Sequence, residues 1–274
     1  MAPPRAPSSP SVPAEGPTTT SASSTSSTAI GAPTAALIII GDELLRGKFV
    51  DENGPFLLRR LRELGVDVLR VEIIPDDVEI IAESVARWSP RVDHLITTGG
   101  VGPTHDDLTM EGVSRGLGRR LVRDPRLEAL LSARMGERYN EAAARMAEVP
   151  EGAELREGGG MSFPQVRAGN VWIFPGVPSL LRRKFDGIAG QLGGRPMGSR
   201  RLVTTEHEPQ IADALTAAAA AHPTVSIGSY PQFDQQPWTV TITLDSRDEP
   251  ALLACEARLR AALRAGLVEA PSSK

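Results

Sequence analysis

One cysteine, Cys255, stands in the 274 residues, so no disulfide can close within the chain and no cysteine-based zinc site can form. A reducing cytoplasm is therefore the expected compartment. Long apolar runs are missing too: the densest, Ala35 to Ile40, is far shorter than the roughly 18 residues a membrane helix needs, and no membrane partner is expected. Basic charge is not in excess. The net charge of −4 argues against general nucleic-acid binding. The first 34 residues lack an apolar h-region and carry Arg5 as their only basic residue, so neither a secretory signal nor a transit peptide is expected there. Familiar catalytic signatures are also absent: no dinucleotide GxGxxG, no nucleophile elbow and no HExxH. Gly41 to Lys48 resembles a Walker loop but fails it, because five residues separate Gly41 from Gly47 and Phe49 stands where Ser or Thr is required.

What is present divides the chain. Residues 1–34 are almost entirely Pro, Ser, Thr, Ala and Gly, a composition that buries too little apolar area to offset chain entropy, and they read as a disordered low-complexity tail. Ala35 to Ile40 is all apolar, as in a strand covered on both faces of a parallel sheet. From Asn53 to Leu64 the apolar residues Leu57, Leu61 and Leu64 recur at helical spacing, and Gly65 ends that helix. Val66 to Ile74 reads as a second strand. Pro75-Asp76-Asp77 opens a helix striped by Val78, Ile81, Val85 and Trp88 and stopped at Ser89-Pro90, and Val92 to Ile96 is a third strand. This rhythm predicts an α/β fold, a three-layer α/β/α sandwich around a mostly parallel mixed sheet whose strand carboxyl ends share one edge. Phe163 to Arg167, a turn at Ala168-Gly169-Asn170, and Val171 to Phe174 read as a hairpin, so at least one strand runs antiparallel. Pro125 to Ala147 reads as one long helix that packs as an arm across the domain or against another subunit, or is simply solvated. This first domain spans 35–190. Residues 191–199 look like a linker, 200–267 like a small ferredoxin-like α+β domain of β-α-β-β-α order, and 268–274 like a tail. Cys255 falls on the last helix as core or surface filler.

The chemistry concentrates in Thr97 to Thr109, TTGGVGPTHDDLT, between a strand and a short helix from Met110 to Leu117. Gly99, Gly100 and Gly102 are expected at positive φ, bringing backbone amides to an anion, and Pro103 stiffens the exit. Carboxylates beside such a turn repel a phosphate unless a divalent cation lies between, so Asp106 and Asp107 suggest metal-bridged phosphate. The plainer alternative makes Asp107 or Thr109 an N-cap. Asp42, Glu43, Asp51 and Asn53 follow the first strand on the same edge, where open sheets bind ligands. Their hard oxygens suit Mg²⁺ or Mn²⁺, though Asp51 and Asn53 alternatively only cap the next helix. His105 is either a phosphate contact or an exposed loop residue. Pro175-Gly176-Val177-Pro178 makes a second strand-to-helix turn fit to hold a phosphate.

GDELLRG, DENG, TTGGVGPTHDDLT and FPGVP, in this order and spacing, resemble the molybdopterin-binding-like domain of the MoaB/Mog superfamily, in its CinA branch. SFPQVRAGNVWIFPGVPSLLRRKF, IGSYPQF and VTITLDS bring the resemblance nearest to the N-terminal domain of eukaryotic FAD synthase. It covers Ala35 to about Leu267. The resemblance implies a mixed-sheet α/β/α fold, a homo-oligomer, and a small-molecule nucleotide or pterin ligand. For molybdenum-cofactor members it implies metal-assisted chemistry on adenylylated molybdopterin, with Asp107 and Asp51 as the key acids. For the CinA and FAD-synthase branch it implies metal-dependent hydrolysis of FAD or ADP-ribose to AMP and a second monophosphate, with Mg²⁺, Mn²⁺ or Co²⁺.

The site residues so expected are Asp107, Asp51 and Asp106 for catalysis and Asp42, Asp51 and Asp107 for the metal. Gly41, Asn53, Thr98, Gly99, Gly100, Gly102, Thr104, His105, Thr109, Pro175, Gly176 and Pro178 are the expected ligand contacts. The rivals are a non-catalytic holder of a nucleotide or molybdopterin, and a molybdenum-cofactor biosynthesis protein. Val101, where cofactor-biosynthesis members commonly carry Thr, weakens the last. The 274 residues contain neither a deamidase nor a nucleotidyltransferase domain, so nicotinamide-nucleotide deamidation and FAD synthesis are not expected of them.

Overall fold

The computed structural model describes residues 31–156, 163–233, 238–263 and 266–268. Residues 1–30 of the expected tail lie outside them, as do 269–274. Thr34, which composition groups with the tail, is tied down: its backbone N–H and its hydroxyl both donate to Asp93 Oδ2, at 2.7 and 2.8 Å.

In chain order the first domain runs β1 (Thr34–Ile40), α1 (Asp42–Leu45), α2 (Asn53–Glu63), β2 (Asp67–Ile74), α3 (Val78–Trp88), β3 (His94–Thr98) and α4 (Thr109–Gly116). It continues with β4 (Leu121–Arg123), α5 (Pro125–Met135), α6 (Glu141–Arg145), β5 (Glu148–Pro150), β6 (Glu154–Arg156), β7 (Gln165–Ala168), β8 (Val171–Phe174) and α7 (Pro178–Ile188). The main sheet has six strands in the order β2-β1-β3-β8-β7-β6. Its first four are mutually parallel and β7 runs antiparallel to both β8 and β6, so the expected hairpin is β7-β8, with Gly169 in the left-handed region at its tip. A strand buried on both faces must alternate between two cores, and β1 does. Ile38 and Ile40 meet Ile81, Val85 and Val113 on the α3 and α4 side, while Leu37 meets Leu57, Leu61, Phe174 and Phe185 on the α2 and α7 side. The result is three layers.

Two local expectations fail for identifiable reasons. The long helix from Pro125 to Ala147 is two helices. Gly136 takes φ +54 and ends α5, and the Asn140 side chain accepts from Ala143 N at 3.0 Å, starting α6 afresh. The stretch 191–199 is no free linker either. Gly194 N donates to Leu64 O at 2.8 Å, and the carbonyl of Arg195 packs where a Cβ on Gly65 would sit.

The second domain runs β9 (Gly198–Thr204), α8 (Glu208–Ala221), β10 (Ser226–Gln232), β11 (Thr239–Ser246), α9 (Glu249–Ala262) and β12 (Leu267–Val268). Its antiparallel sheet, β10-β11-β9-β12, has the ferredoxin-like order, with β12 supplying a short last strand that the sequence did not announce. Cys255 is buried in its core with Leu252, Leu259 and Ile242. Arg247 joins the domains by donating to Asp67 Oδ1 at 2.8 Å and Gly65 O at 3.1 Å.

Candidate functional site

Four parallel strands end side by side, and the loops that leave them are packed backbone against backbone. Gly41 N donates to Ile74 O at 3.1 Å and Gly99 N to Phe174 O at 3.3 Å, stitching the ends of β1 to β2 and β3 to β8. Gly99 has φ +104, and a Cβ there would lie 1.9 Å from Ile40 O. Gly100 has φ +57, and its missing Cβ leaves room for Thr109 Oγ1 and for Asp76 Oδ1. A Cβ on Gly176 would stand 3.2 Å from Gly99 Cα, so the two glycine turns touch. Gly102 differs from expectation: it is not among the glycines with positive φ, and it is needed for space instead, because a Cβ would meet Asp107 Oδ2 at 2.6 Å.

Polar side chains lock these loops. The buried Asn53, at the start of α2, donates through Nδ2 to Thr98 Oγ1 at 3.1 Å and to Gly176 O at 2.8 Å, and Thr98 Oγ1 donates to Pro175 O at 3.0 Å. Three loops are thus tied by two side chains. Asn53 Oδ1 is buried with no hydrogen-bond partner. Thr109 is fully buried and donates to Gly99 O at 2.7 Å, closing the central turn upon itself. Asp107 accepts from Thr104 N at 2.8 Å and Thr104 Oγ1 at 2.5 Å, folding the loop before α4. Neither Thr109 nor Asp107 caps that helix, whose N-cap, Leu108, offers no side-chain bond. Helix α7 starts with Pro178 and is likewise uncapped by any side chain. Two helix amino ends beside the glycine turns therefore lack a side-chain cap, each carrying the partial positive charge of its helix, although Thr109 N of α4 already donates to Gly100 O at 3.1 Å and Pro178 of α7 has no N–H.

The acids do not all follow the sequence-based expectation. Asp51 caps α2, accepting from Asn53 N at 2.9 Å and Gly54 N at 3.0 Å. Asp42 pairs with Arg46 at 2.5 Å on the surface. Asp106 and His105 project into solvent, 64 and 97% exposed, because the loop turns its inner side toward Asp107. The acid that faces Gly100 is Asp76, which was not expected in the site. Asp77 takes the N-cap role on α3, accepting from Glu79 N and Ile80 N at 2.9 and 3.0 Å. Asp76 is left free to accept from Asp42 N at 2.8 Å. Burial first, and then the neighbouring Glu43, Asp42 and Asp106, push its carboxyl above the usual aspartate range.

Beside the glycine turn lies a cavity of about 450 Å³, within the size range of small-molecule sites. Gly100 to Gly102 and Asp107 form one wall, and Met110, Leu131, Met146, Phe163 and Leu180 give it an apolar lining. Its cations are Arg134, Arg145, which donates to Thr104 O at 3.2 Å, Arg183 and Lys184. Lys184 Nζ donates to the carbonyls of Phe163 and Pro164 at 2.9 and 2.8 Å, and burial pushes its pKa down to about 8. Leu131, Arg145 and Met146 carry no local sequence signature.

The family model described as the probable molybdopterin binding domain matches residues 36–193, more than half the chain. The chain belongs to that family. A second family model, described as FAD synthase, middle domain, matches residues 196–272 of this molybdopterin-binding-domain protein, so the change of family falls at the segment between α7 and β9. A protein of Archaeoglobus fulgidus is 32% identical over 213 residues, which are 78% of this chain and 90% of the relative. A probable FAD synthase of Caenorhabditis elegans is 31% identical over 265 residues, 86% of this chain but 51% of the relative, so the chain spans about half of that protein. The crystal structure of CinA from Thermoplasma acidophilum superposes with a TM-score of 0.54 at 27% identity, covering 59% of this chain and 99% of the other.

For a metal, the donor chemistry decides the fit. Among the described residues, no three His, Cys, Asp or Glu side chains converge to enclose an ion. That does not fit a preformed protein cage of the kind calcium or zinc takes. A magnesium-type ion asks less of the protein, since it keeps its waters and is held by one or two carboxylates together with substrate phosphates. Asp107 beside Gly102 and Asp76 beside Gly100 are the acids that would hold such an ion in this molybdopterin-binding-domain protein.

Proposed function

We propose that this protein is a metal-assisted pyrophosphatase, hydrolysing a nucleotide pyrophosphate such as FAD or ADP-ribose to AMP and a second monophosphate in the cytoplasm. The observation that carries the reading is the contact of two glycine turns, Gly99-Gly100 and Gly176, each opening onto a helix whose amino end no side chain caps. Two adjacent helix ends without a side-chain cap suit two linked phosphates better than one. Asp107 and Asp76 then lie beside the phosphates as the acids that would hold a divalent ion. When bound, that ion neutralises phosphate charge and favours a water nucleophile.

The chain's own groups do the rest. Thr104 orients Asp107 through Oδ2, leaving Oδ1 to accept the proton of an attacking water. The water oxygen bonds to one phosphorus as the bridging P–O bond breaks, and the leaving phosphate carries away the bond's electron pair. The apolar cavity receives the ligand half beyond the phosphates, and its lining by Met110, Leu131 and Phe163 favours a flat ring system over a bare ribose. Arg145 and Arg183 stand ready for the charge on the second phosphate.

A second reading, a non-catalytic holder of a nucleotide or of molybdopterin, is favoured by one observation: the carboxylates of Asp51 and Asp107 already accept local hydrogen bonds. One experiment separates the two. AMP release from FAD, ADP-ribose and NAD is followed with Mg²⁺, Mn²⁺ or Co²⁺ and with chelator, beside Asp107→Asn. Hydrolysis predicts metal-dependent AMP that falls by about 100-fold or more in the variant, as expected for loss of a general base. Folded protein that binds a ligand and releases no AMP overturns hydrolysis in favour of holding.

A further inference from the structure

Lys184 takes no part in the hydrolytic step, yet α7 half-buries its ammonium at the wall of the cavity. Leu180, Arg183 and Lys184 recur at i, i+3 and i+4, so one face of α7 forms that wall. Lys184 Nζ donates to the carbonyls of Phe163 and Pro164, the residues that lead into β7, and lies over the Phe163 ring, 5.4 Å from its centre. Burial lowers the pKa of this group only to about 8, so it is charged at pH 7. One side chain therefore both fixes the backbone of Phe163 and occupies one face of its ring.

The rest of the wall decides what Phe163 can do. It is the aromatic residue among the described lining, and no Ser, Thr, Asn or Gln stands there beside it. A heterocycle placed in the cavity finds no neutral amide or hydroxyl side chain to read its edge, so recognition falls to its flat face. Met110 and Met146 supply polarizable sulfur that adapts to the outline of a ring. With Lys184 on one face of Phe163, the other face is left for stacking, and stacking a flat heterocycle on an aromatic side chain changes affinity by about 5–150-fold. The ammonium also sets the charge of the ring that stacks. A cationic ring on the free face would lie about 9 Å from Nζ, a repulsion that costs about 10-fold in affinity at an effective dielectric of about 20–40. The acids of the wall, Asp107, Glu111 and Glu148, are matched by its four cations and lend no negative excess to offset it.

We propose that Phe163, held and backed by Lys184, is the specificity-determining platform of the cavity, stacking a neutral fused ring of the ligand and discriminating against a cationic ring or a bare sugar. The proposal rests on the reading that the cavity receives the ligand half beyond the phosphates, and not on hydrolysis.

Binding of monophosphates to the full chain tests it without turnover. Riboflavin 5′-phosphate, nicotinamide mononucleotide and ribose 5-phosphate carry one phosphate each and a neutral fused ring, a cationic ring and no ring. By calorimetry the first should bind at least about 10-fold more tightly than either of the others, with its fluorescence quenched by the stacked ring. Phe163→Leu should narrow the gap between riboflavin 5′-phosphate and ribose 5-phosphate by about 10-fold, and Phe163→Tyr, which keeps a ring, should restore it. Lys184→Met should narrow the gap between riboflavin 5′-phosphate and nicotinamide mononucleotide by about 10-fold. No binding, equal affinity of the parent for the three ligands, an unchanged gap in Phe163→Leu, or a loss in Lys184→Met that falls on all three alike overturns the proposal. The ranking by the parent decides even where a variant fails to fold. AMP release on the same preparations separates the two readings: AMP released with no ring preference overturns the platform alone, and a ring preference without AMP overturns hydrolysis alone.

Discussion

Replacing Gly99 by alanine adds a single methyl group at the point where the loops of the site are most tightly packed. Two costs add. At φ +104 an L-residue lies outside its ordinary regions, which costs about 1–2 kcal/mol. The new Cβ would also lie 1.9 Å from Ile40 O and 3.0 Å from Ile40 C, and these are backbone atoms of the central strand β1, which cannot swing aside as a side chain can. Overpacking of this kind costs about 1–3 kcal/mol more. A loss of about 3 kcal/mol is a large share of the 5–15 kcal/mol of a folded domain, and at about 2–4 °C per kcal/mol it lowers the melting temperature by about 6–12 °C. Thermal unfolding followed by circular dichroism measures this directly. Gly47→Ala is the internal control. Gly47 has φ +66 with nothing within 4 Å of the added methyl, so it carries the conformational cost alone and should lose about 1 kcal/mol. If the two variants melt within about 2 °C of each other, the close approach of Gly99 to β1 is not what the packing argument says it is.

Asp76→Asn should raise stability at pH 7 while lowering AMP release. A carboxyl with a raised folded pKa binds more protons folded than unfolded between its two pKa values, so stability falls as pH rises through that window, and the neutral amide removes the penalty while still accepting from Asp42 N. Melting curves and the AMP assay on one preparation check both halves; a less stable variant refutes the first. Lys184→Met should flatten the alkaline pH profile of stability. With a folded pKa of about 8 against an ordinary 10.5, the unfolded chain holds the extra proton, so parent stability rises between those values by at most about 3 kcal/mol, less with partial solvation. Urea titrations at pH 7.5 and 10 on both proteins measure the difference, and identical slopes refute it. Asn53→Ala removes two donors that tie three loops and should cost about 2–3 kcal/mol, whereas Asn53→Ser, which keeps one donor, should cost less; equal losses in chemical denaturation would show that the bonds to Thr98 and Gly176 are not what holds the loops.

Much of the scaffold could be read from the chain because local chemistry and global architecture agree there. Ala35 to Ile40 has no polar residue to turn to solvent, so only a central strand suits it, and it forms β1 with both faces covered. Gly65 takes the positive φ that ends α2, and Asn170 follows Gly169 at the tip of the β7-β8 hairpin. Where the chain has two local options the outcome was not legible. Ala-rich sequence from Pro125 to Ala147 is helical by propensity throughout, and only the tertiary setting makes Gly136 a break and not a tolerated glycine. The three-residue strands β4 and β5 pair through 121–123 and 148–150, too short for any periodicity to show.

The same distinction explains the site. Residues that shape the backbone there are constrained by sterics that sequence expresses: a glycine is needed where Ile40 O or Asp107 approaches, and the buried Asn53 and Thr109 donate to Thr98, Gly176 and Gly99. Acids are different, because a carboxylate one residue along the chain can exchange a capping role for a site role with no change in composition. Asp76 and Asp77 are such a pair, as are Asp106 and Asp107. In each pair the residue nearer the helix takes the inward bonds, Asp77 on the amides of α3 and Asp107 on Thr104, and the fate of its neighbour depends on what lies across the sheet edge. Gly100 lies across from Asp76 and keeps it in the site, whereas Asp106 is left in solvent. Which acid of a pair reaches the ligand is therefore decided by loops distant in sequence, and an isolated reading of either dipeptide has no means of choosing.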